Sequence, residues 1–116
     1  MAIRFARKDP PRKFRVGVGA QIEISDCGSI FLDSDEQVTF VMANGARHDF
    51  TAKSWGFYAT PSVNGRLKDE GLKTALVRNA AGRHYVMVVS RERQAEFESY
   101  LAVEDNEVVE WLDERN

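Results

Sequence analysis

The residues best suited to chemistry lie in one segment, residues 53–67, in the middle of this 116-residue chain. The segment combines aromatic rings with hydroxyl, amide and cationic groups, and it is rich in turn-forming glycine and proline. Segments of this composition are typical of loops that carry recognition surfaces. The candidate ligand-binding residues are Lys53, Trp55, Tyr58, Thr60, Ser62, Asn64 and Arg66.

Their combined chemistry suits a polar, ring-containing, anionic ligand such as a nucleotide sugar. Trp and Tyr rings stack on sugars or bases, while a guanidinium binds phosphate or carboxylate through two hydrogen bonds. The alternative is that Trp55, Phe57 and Tyr58 are core and corner residues and that Arg66 forms an ion pair with a carboxylate of the protein itself. Most aromatic residues in a small domain are packing residues, which favours this alternative.

Single-stranded nucleic acid is a second ligand class, since small β-barrels bind it through sheet aromatics and a basic groove. The sequence supplies cations for such a groove, but its pI of about 5.7 opposes binding to a phosphate backbone. The cations concerned are Lys53, Arg66, Lys68, Lys73, Arg78 and Arg83.

Catalytic motifs are weak, so we predict no catalytic residues and rank an enzyme third. There is no G-x-S-x-G elbow, and Cys27 is expected on a turn without the walls of an active site. Acidic turn residues that could meet as a glycosidase pair leave that chemistry open: Asp26, Asp33, Asp35, Glu36 and Asp49.

Metal and cofactor sites are not predicted. A metal would need His48, His84, Cys27 and a carboxylate to converge from separate hairpins. Gly17-Val18-Gly19 lacks the spacing of a phosphate-binding loop and is expected to mark a bend before the first strand.

Residues 53–67, read as KSWGFYATPSVNGRL, resemble a run found in a family of small uncharacterised bacterial proteins, some encoded near polysaccharide or nucleotide-sugar genes. The resemblance extends over most of the chain from about Arg15. It implies a bacterial cytoplasmic protein with a carbohydrate-related accessory role, and it transfers no role to any residue.

The two ends of the chain differ in charge. Residues 1–15 hold six Lys/Arg against Asp9 alone, whereas residues 91–116 hold nine Asp/Glu against three Arg. We expect a basic, flexible N-terminal arm at 1–12 and a single α+β domain at 13–116. The alternative is that the arm folds onto the acidic C-terminal element, within the molecule or across a dimer.

Composition predicts a cytoplasmic globular protein without a membrane segment. The hydrophobic fraction of 43% is ordinary, the longest apolar run is too short to span a bilayer, and no secretory signal is visible. The single cysteine agrees with a reducing compartment.

Two hairpins are predicted in the first half of the chain. One joins residues 21–25 and 29–33 through a turn at 26–28, with Ile24 facing Ile30. The other turns at Asn44-Gly45, and a two-residue turn would set Phe40 against Asp49. We prefer a three-residue bulged loop that sets Phe40 against Phe50, because it places more apolar area on one face.

The second half predicts a short helical turn at 65–71, a strand at 73–78, a turn at 79–82 and a central strand at 85–89. An amphipathic helix follows over residues 91–103, and then a closing strand at 107–113. The fold class is α+β: a mostly antiparallel β meander or small half-open barrel with one C-terminal amphipathic helix and a final short strand.

The resulting function is a non-enzymatic binding or accessory protein that engages an anionic carbohydrate-type ligand or a protein partner through residues 53–68. A single-stranded nucleic-acid binder is the alternative. The chain is expected to be a monomer or a homodimer.

Overall fold

The computed structural model describes residues 3–115, where eight strands form three antiparallel sheets beside one main helix, which confirms the α+β class. The strands of the described region do not close into a barrel. The strands are β1 (Arg4–Val16), β2 (Ile22–Phe31), β3 (Gln37–Val41), β4 (Arg47–Lys53), β5 (Gly56–Ala59), β6 (Leu72–Arg78), β7 (His84–Ser90) and β8 (Glu107–Trp111). The helices are α1 (Arg66–Asp69) and α2 (Gln94–Glu104), with 3-10 turns at Arg91–Arg93 and Leu112–Glu114.

Strands β1 and β2 form a two-stranded ribbon, and this corrects the first predicted hairpin. β2 runs straight through residues 26–28, so Ile24 lies opposite Phe14 rather than Ile30. Gly28 does not form a turn. It allows β1 and β2 to approach each other closely, because a Cβ at this position would clash with the backbone oxygen of Ala6. The actual connection is at residues 17–21, which contain the Gly-x-Gly that was expected to precede the first strand.

The predicted N-terminal arm lies largely in β1. The backbone is extended from Arg4 and pairs with β2, with a register shift between Arg7 and Arg12. Met1 and Ala2 lie outside the described residues. Flexibility of the arm remains a prediction.

Strands β3, β4 and β5 form the second sheet in that order. The Asn44-Gly45 hairpin is confirmed, but its register is neither of the two predicted ones, since Phe40 lies opposite His48. The loop has three residues, 43–45, because Gly45 N–H donates to Met42 and Met42 N–H donates to Ala46. Gly45 has a φ of 89°, so the glycine takes the third loop position rather than the last position of a two-residue turn.

The third sheet has the order β7-β6-β8, so β6 is central and β7 is an edge strand. The prediction that residues 85–89 form a central strand is wrong. Their second apolar face, which suggested burial on both sides, is uncovered instead, and Val86 is 65% exposed. The predicted helix, the turn at 79–82, the short helical turn and the closing strand are all present.

The core is small and has two parts. Helix α2 covers one face of the third sheet, where Ala75, Val77 and Leu101 are buried among Met87, Phe97, Val108 and Trp111. A smaller cluster of Ala46, Leu67 and Leu72 joins the second sheet to α1 and β6. The radius of gyration is 15.8 Å, larger than the roughly 13 Å of a compact chain of this length. No helix among residues 3–115 is long and apolar enough to cross a membrane.

Candidate functional site

The predicted segment 53–67 is organised by the hairpin of β4 and β5. Its turn places Trp55 at the tip, and the side chains of Trp55 and Phe57 are 71% and 70% exposed, with Tyr58 at 43%. These exposures contradict a place in the core for the three aromatics, whereas Trp55 does lie at the corner of the hairpin. An exposed cluster of this kind is unusual, because aromatic side chains contribute large apolar areas when buried.

The aromatics occupy both faces of the hairpin. Tyr58 pairs across the strands with Thr51, and Phe57 pairs with Ala52, so successive side chains point to opposite faces. Trp55 lies on the Tyr58 side, with ring centroids 6.0 Å apart and an interplanar angle of 24°. Trp55 and Tyr58 thus form a flat aromatic platform on one face, while Phe57 projects from the other.

The two cations of the predicted site are paired with carboxylates of the chain itself. Lys53 donates to Asp35, and this hydrogen bond raises the pKa of the lysine. Arg66 donates from Nη1 and Nη2 to the two carboxylate oxygens of Asp49, both at 3.0 Å. Neither cation is left as an uncompensated anchor for an anion.

Asp49 explains why Arg66 is needed here. The aspartate is only 3% exposed, and a buried carboxylate without a partner is costly. The Arg66 guanidinium holds the pKa of Asp49 below its usual range, against the opposing effect of burial. Arg66 is therefore structural, tying α1 to β4.

The three small polar residues of the predicted site do not converge with the platform as one pocket. The hydroxyl of Thr60 lies 2.6 Å from that of Thr51. Ser62 Oγ accepts from the N–H of Arg66 at the start of α1. Asn64 is exposed, with no side-chain hydrogen bond among the described residues.

The feature that sequence reasoning missed is the free edge of β5. Thr60 N–H donates to Asp49 C=O, and hydrogen bonds alternate along an antiparallel pair. The N–H and C=O groups of Phe57 and Ala59 therefore point away from β4. The sequence signal for this strand is the short run of aromatics, Phe57 and Tyr58, between two glycine-containing turns.

The remaining chemical candidates are dispersed. Within residues 3–115 no three His, Cys, Asp or Glu residues are grouped to hold a metal ion. Cys27 is exposed in the middle of β2 rather than on a turn. Burial lowers the pKa of His48, whose ring lies 5.0 Å from that of Phe50.

The carboxylates considered as a catalytic pair are separately engaged. Asp26 accepts from Lys8 and Arg12, Asp35 from Lys53, and Asp49 from Arg66. Glu36 accepts from the backbone N–H of Asp33. These contacts account for four of the five carboxylates as structural groups, and Asp33 contributes only its backbone N–H.

Most cations of the proposed nucleic-acid surface also have carboxylate partners. Lys73 pairs with Asp113 and Glu114, and Arg78 lies 3.7 Å from Glu107. Lys68 and Arg83 form no ion pair within the described residues. The positive potential available to a phosphate backbone is correspondingly reduced.

A shallow groove of about 310 Å³ lies elsewhere, between α2 and β7. Its wall is mostly apolar and contains none of the predicted site residues; the lining includes Met42, Met87, Phe97 and Tyr100. Its charged groups, Arg93 and Glu96, pair with each other at 2.9 Å. The groove offers no arrangement of acid, base or nucleophile.

No protein-family model matches this chain, and comparisons with curated proteins and with solved structures give no match. The resemblance of residues 53–67 to a bacterial family remains a prediction.

Proposed function

We propose that the chain is a non-enzymatic binding module that recognises a partner protein through the edge of strand β5. The observation that carries the proposal is the exposure of Trp55, Phe57 and Tyr58 around an unpaired strand edge. An extended peptide that adds to such an edge forms main-chain hydrogen bonds, while neighbouring side chains select its sequence.

The geometry of the hairpin supports this mode of binding. Phe57 and Ala59 present main-chain donors and acceptors outward, and aromatic rings stand on both faces beside them. A strand added to β5 alternates its own side chains between the Trp55–Tyr58 platform and Phe57. Aromatic residues that lie at such a surface commonly dominate the binding free energy.

Electrostatics favour an uncharged peptide segment, with an apolar side chain at every second position, over an anionic ligand. Lys53 is compensated by Asp35 and Arg66 by Asp49, so an anion would have to compete with an existing partner at each position. The expected anionic carbohydrate-type ligand therefore loses its two principal contacts. Single-stranded nucleic acid loses the same cations.

A neutral sugar ring is the second candidate, and the platform itself favours it. Two nearly parallel rings beside the Thr51 and Thr60 hydroxyls offer a stacking surface and hydrogen-bonding groups on one face. This candidate uses Trp55 and Tyr58 but has no use for Phe57 or for the strand edge.

To test this proposal, a phage-displayed library of random linear peptides is selected for binding to the purified protein. Binding of the enriched peptide is then measured by fluorescence anisotropy. Phe57→Ala and Ala59→Pro are each expected to weaken binding at least tenfold, because the first removes an exposed ring and the second an outward N–H donor. Ala59→Ser keeps that donor and serves as the matched control.

Trp55→Ala is the companion variant. We expect it to weaken peptide binding while changing the free energy of unfolding by less than about 0.5 kcal/mol, because the side chain is mostly exposed. A panel of neutral disaccharides, followed through the Trp55 indole N–H signal, tests the second candidate. Saturable disaccharide binding that is insensitive to Phe57→Ala and Ala59→Pro would overturn the protein-partner proposal, as would failure to enrich any peptide.

A further inference from the structure

The β1–β2 ribbon has one apolar face that nothing in the described chain covers. Cross-strand pairing places alternate residues of β1 and β2 on the same side. Five of the six apolar residues on this face are between 37% and 57% exposed, and the sixth, Phe14, is partly buried. The apolar residues of this face are Phe5, Phe14, Val16, Ile22, Ile24 and Ile30, and Arg7, Arg12 and Asp26 lie among them on the same side.

The opposite face of the ribbon is mostly polar, with Phe31 under the Arg4 guanidinium as its large apolar residue, so the ribbon is amphipathic. Lys13 pairs with Ser25 and Arg15 with Glu23 across the strands. A two-stranded ribbon is marginally stable in water unless its apolar face is covered. The ribbon therefore requires a surface that the single chain does not supply.

The third sheet presents the other uncovered apolar face. Helix α2 covers the side that carries Ala75 and Met87, and Leu76, Val86 and Val88 point to the outer side. Val86 is 65% exposed and Val88 is 38% exposed. This surface lies on the edge strand β7 and the central strand β6.

Charge distinguishes among the ways in which these faces can be covered. Arg7 and Arg12 lie on the apolar side of the ribbon, whereas Glu107 and Glu110 pair with Arg78 and Leu76 on the outer side of the third sheet. Two ribbons packed on each other would bring two basic strands together. A ribbon packed on the third sheet instead brings Arg7 and Arg12 towards Glu107 and Glu110 of strand β8.

We infer that the apolar face of the β1–β2 ribbon packs on the outer face of the β6–β7–β8 sheet of a second copy of this chain, reciprocally, in a two-fold symmetric dimer. Such an interface is isologous and closes at two copies.

The available area is consistent with a dimer. A ten-residue, two-stranded face measures roughly 33 Å by 10 Å. Each copy contributes one ribbon face and one sheet face, or about 600 to 700 Å², near the roughly 800 Å² per partner of a standard interface. Reciprocal packing also buries both apolar faces of each copy in a single dimer.

The experiment measures molar mass by light scattering over a concentration series. Wild type is expected at twice the mass of the chain. Ile22→Glu on the ribbon and Val86→Glu on the sheet are each expected to give folded monomers, because each places a charge in both copies of the contact. Ser25→Glu, on the polar face of the ribbon, is the matched control and should remain dimeric.

Mixing the two monomeric variants gives the decisive measurement. An Ile22→Glu chain retains an intact sheet and a Val86→Glu chain retains an intact ribbon, so one of the two contacts re-forms in the mixed pair. An equimolar mixture should therefore contain dimers that neither variant forms alone. A monomeric wild type, a dimeric Val86→Glu variant or a mixture without dimers would each overturn the inference.

A second measurement uses the wild-type chain, so that loss of folding in a variant cannot confuse the result. Equal amounts of ¹⁴N- and ¹⁵N-labelled protein are mixed and cross-linked with a zero-length carbodiimide, and mixed-label peptides identify links between copies. Links from Lys8, which pairs with Asp26 on the apolar side of the ribbon, to Glu107 or Glu110 are expected. Links confined to ribbon with ribbon would overturn the assignment.

Discussion

At the residue scale, the candidate segment separates into groups that stabilise the fold and groups that face solvent. Arg66 and Lys53 have the chemistry of ligand anchors, yet each is engaged by an aspartate. Trp55 and Phe57 have the chemistry of core residues, yet both are exposed. Residue type indicated the chemistry available at each position, and the surroundings decided its use.

The pH dependence of Asp49 is a residue-scale prediction. Its pKa is lowered in the folded state, so the stabilisation is fully present above the ordinary pKa of an aspartate and is lost as pH falls through the lowered value. Asp49→Asn should therefore be less stable than wild type at neutral pH, with the difference shrinking as pH falls below the ordinary aspartate pKa of 3.8. Urea unfolding from neutral to acidic pH provides the measurement.

Asp69→Asn is the control for that series, because Asp69 is exposed on α1. Its difference from wild type should remain small, because its side chain forms no ion pair within the described residues. An Asp49→Asn difference that stayed unchanged in acid would contradict the role assigned to the Arg66–Asp49 pair.

At the element scale, the ribbon is attached to the rest of the molecule through its turn. Glu104 at the end of α2 accepts from the backbone N–H groups of Val18, Gly19 and Ala20 at 2.7, 2.8 and 2.9 Å. These hydrogen bonds lower the pKa of Glu104. A side chain at Gly19 would clash with the backbone oxygen of Val103, so glycine permits the close contact.

Replacement of Glu104 by Gln tests this attachment. Gln offers one oxygen acceptor in place of two, so at least one of the three N–H bonds should weaken. We expect faster amide exchange at residues 18–20, measured by NMR, with protection within α2 retained. Glu98→Gln, an exposed change on the same helix, should leave the exchange rates of these amides unchanged. Equal exchange rates in both variants would contradict the role assigned to Glu104.

At the scale of the whole molecule, little apolar surface is buried for the length of the chain. Large hydrophobic side chains are exposed on the ribbon, on the β4–β5 hairpin and on the outer face of the third sheet. Extensive apolar patches on a folded protein commonly mark interaction surfaces. The stability of this protein should therefore depend on association.

Thermal unfolding at several protein concentrations tests that dependence. For a dimer that unfolds to separate chains, each tenfold rise in concentration adds about 1.4 kcal/mol to the free energy of unfolding per dimer. We expect Tm to rise with concentration for wild type and to stay constant for Val86→Glu. A concentration-independent Tm in wild type would argue against an association-dependent fold.

The local elements were largely predictable from the sequence. Asn44-Gly45 predicted a hairpin, Asn79 to Gly82 predicted a turn, and the helical spacing of residues 91–103 predicted the main helix. These signals depend on backbone preferences and side-chain periodicity, which act over a few residues. The candidate residues Trp55 and Tyr58 were likewise identified from type and position alone.

Pairings between distant segments were not predictable in the same way. Residues 26–28 have turn composition, but β1 pairs alongside them and holds β2 extended. Residues 85–89 have the composition of a central strand, but β8 pairs with β6 and leaves β7 at the edge. Strand order and register depend on which distant segments share hydrogen bonds, and local patterns do not encode that choice.

The sequence by itself determined the α+β class, the positions of the main turns and the concentration of aromatic residues near Trp55, because these follow from local composition and spacing. Only the tertiary structure decided that Arg66 and Lys53 face aspartates, that β5 has a free edge and that two apolar faces lie uncovered. Burial and charge pairing arise from contacts between residues far apart in the chain, which is the physical reason for this division.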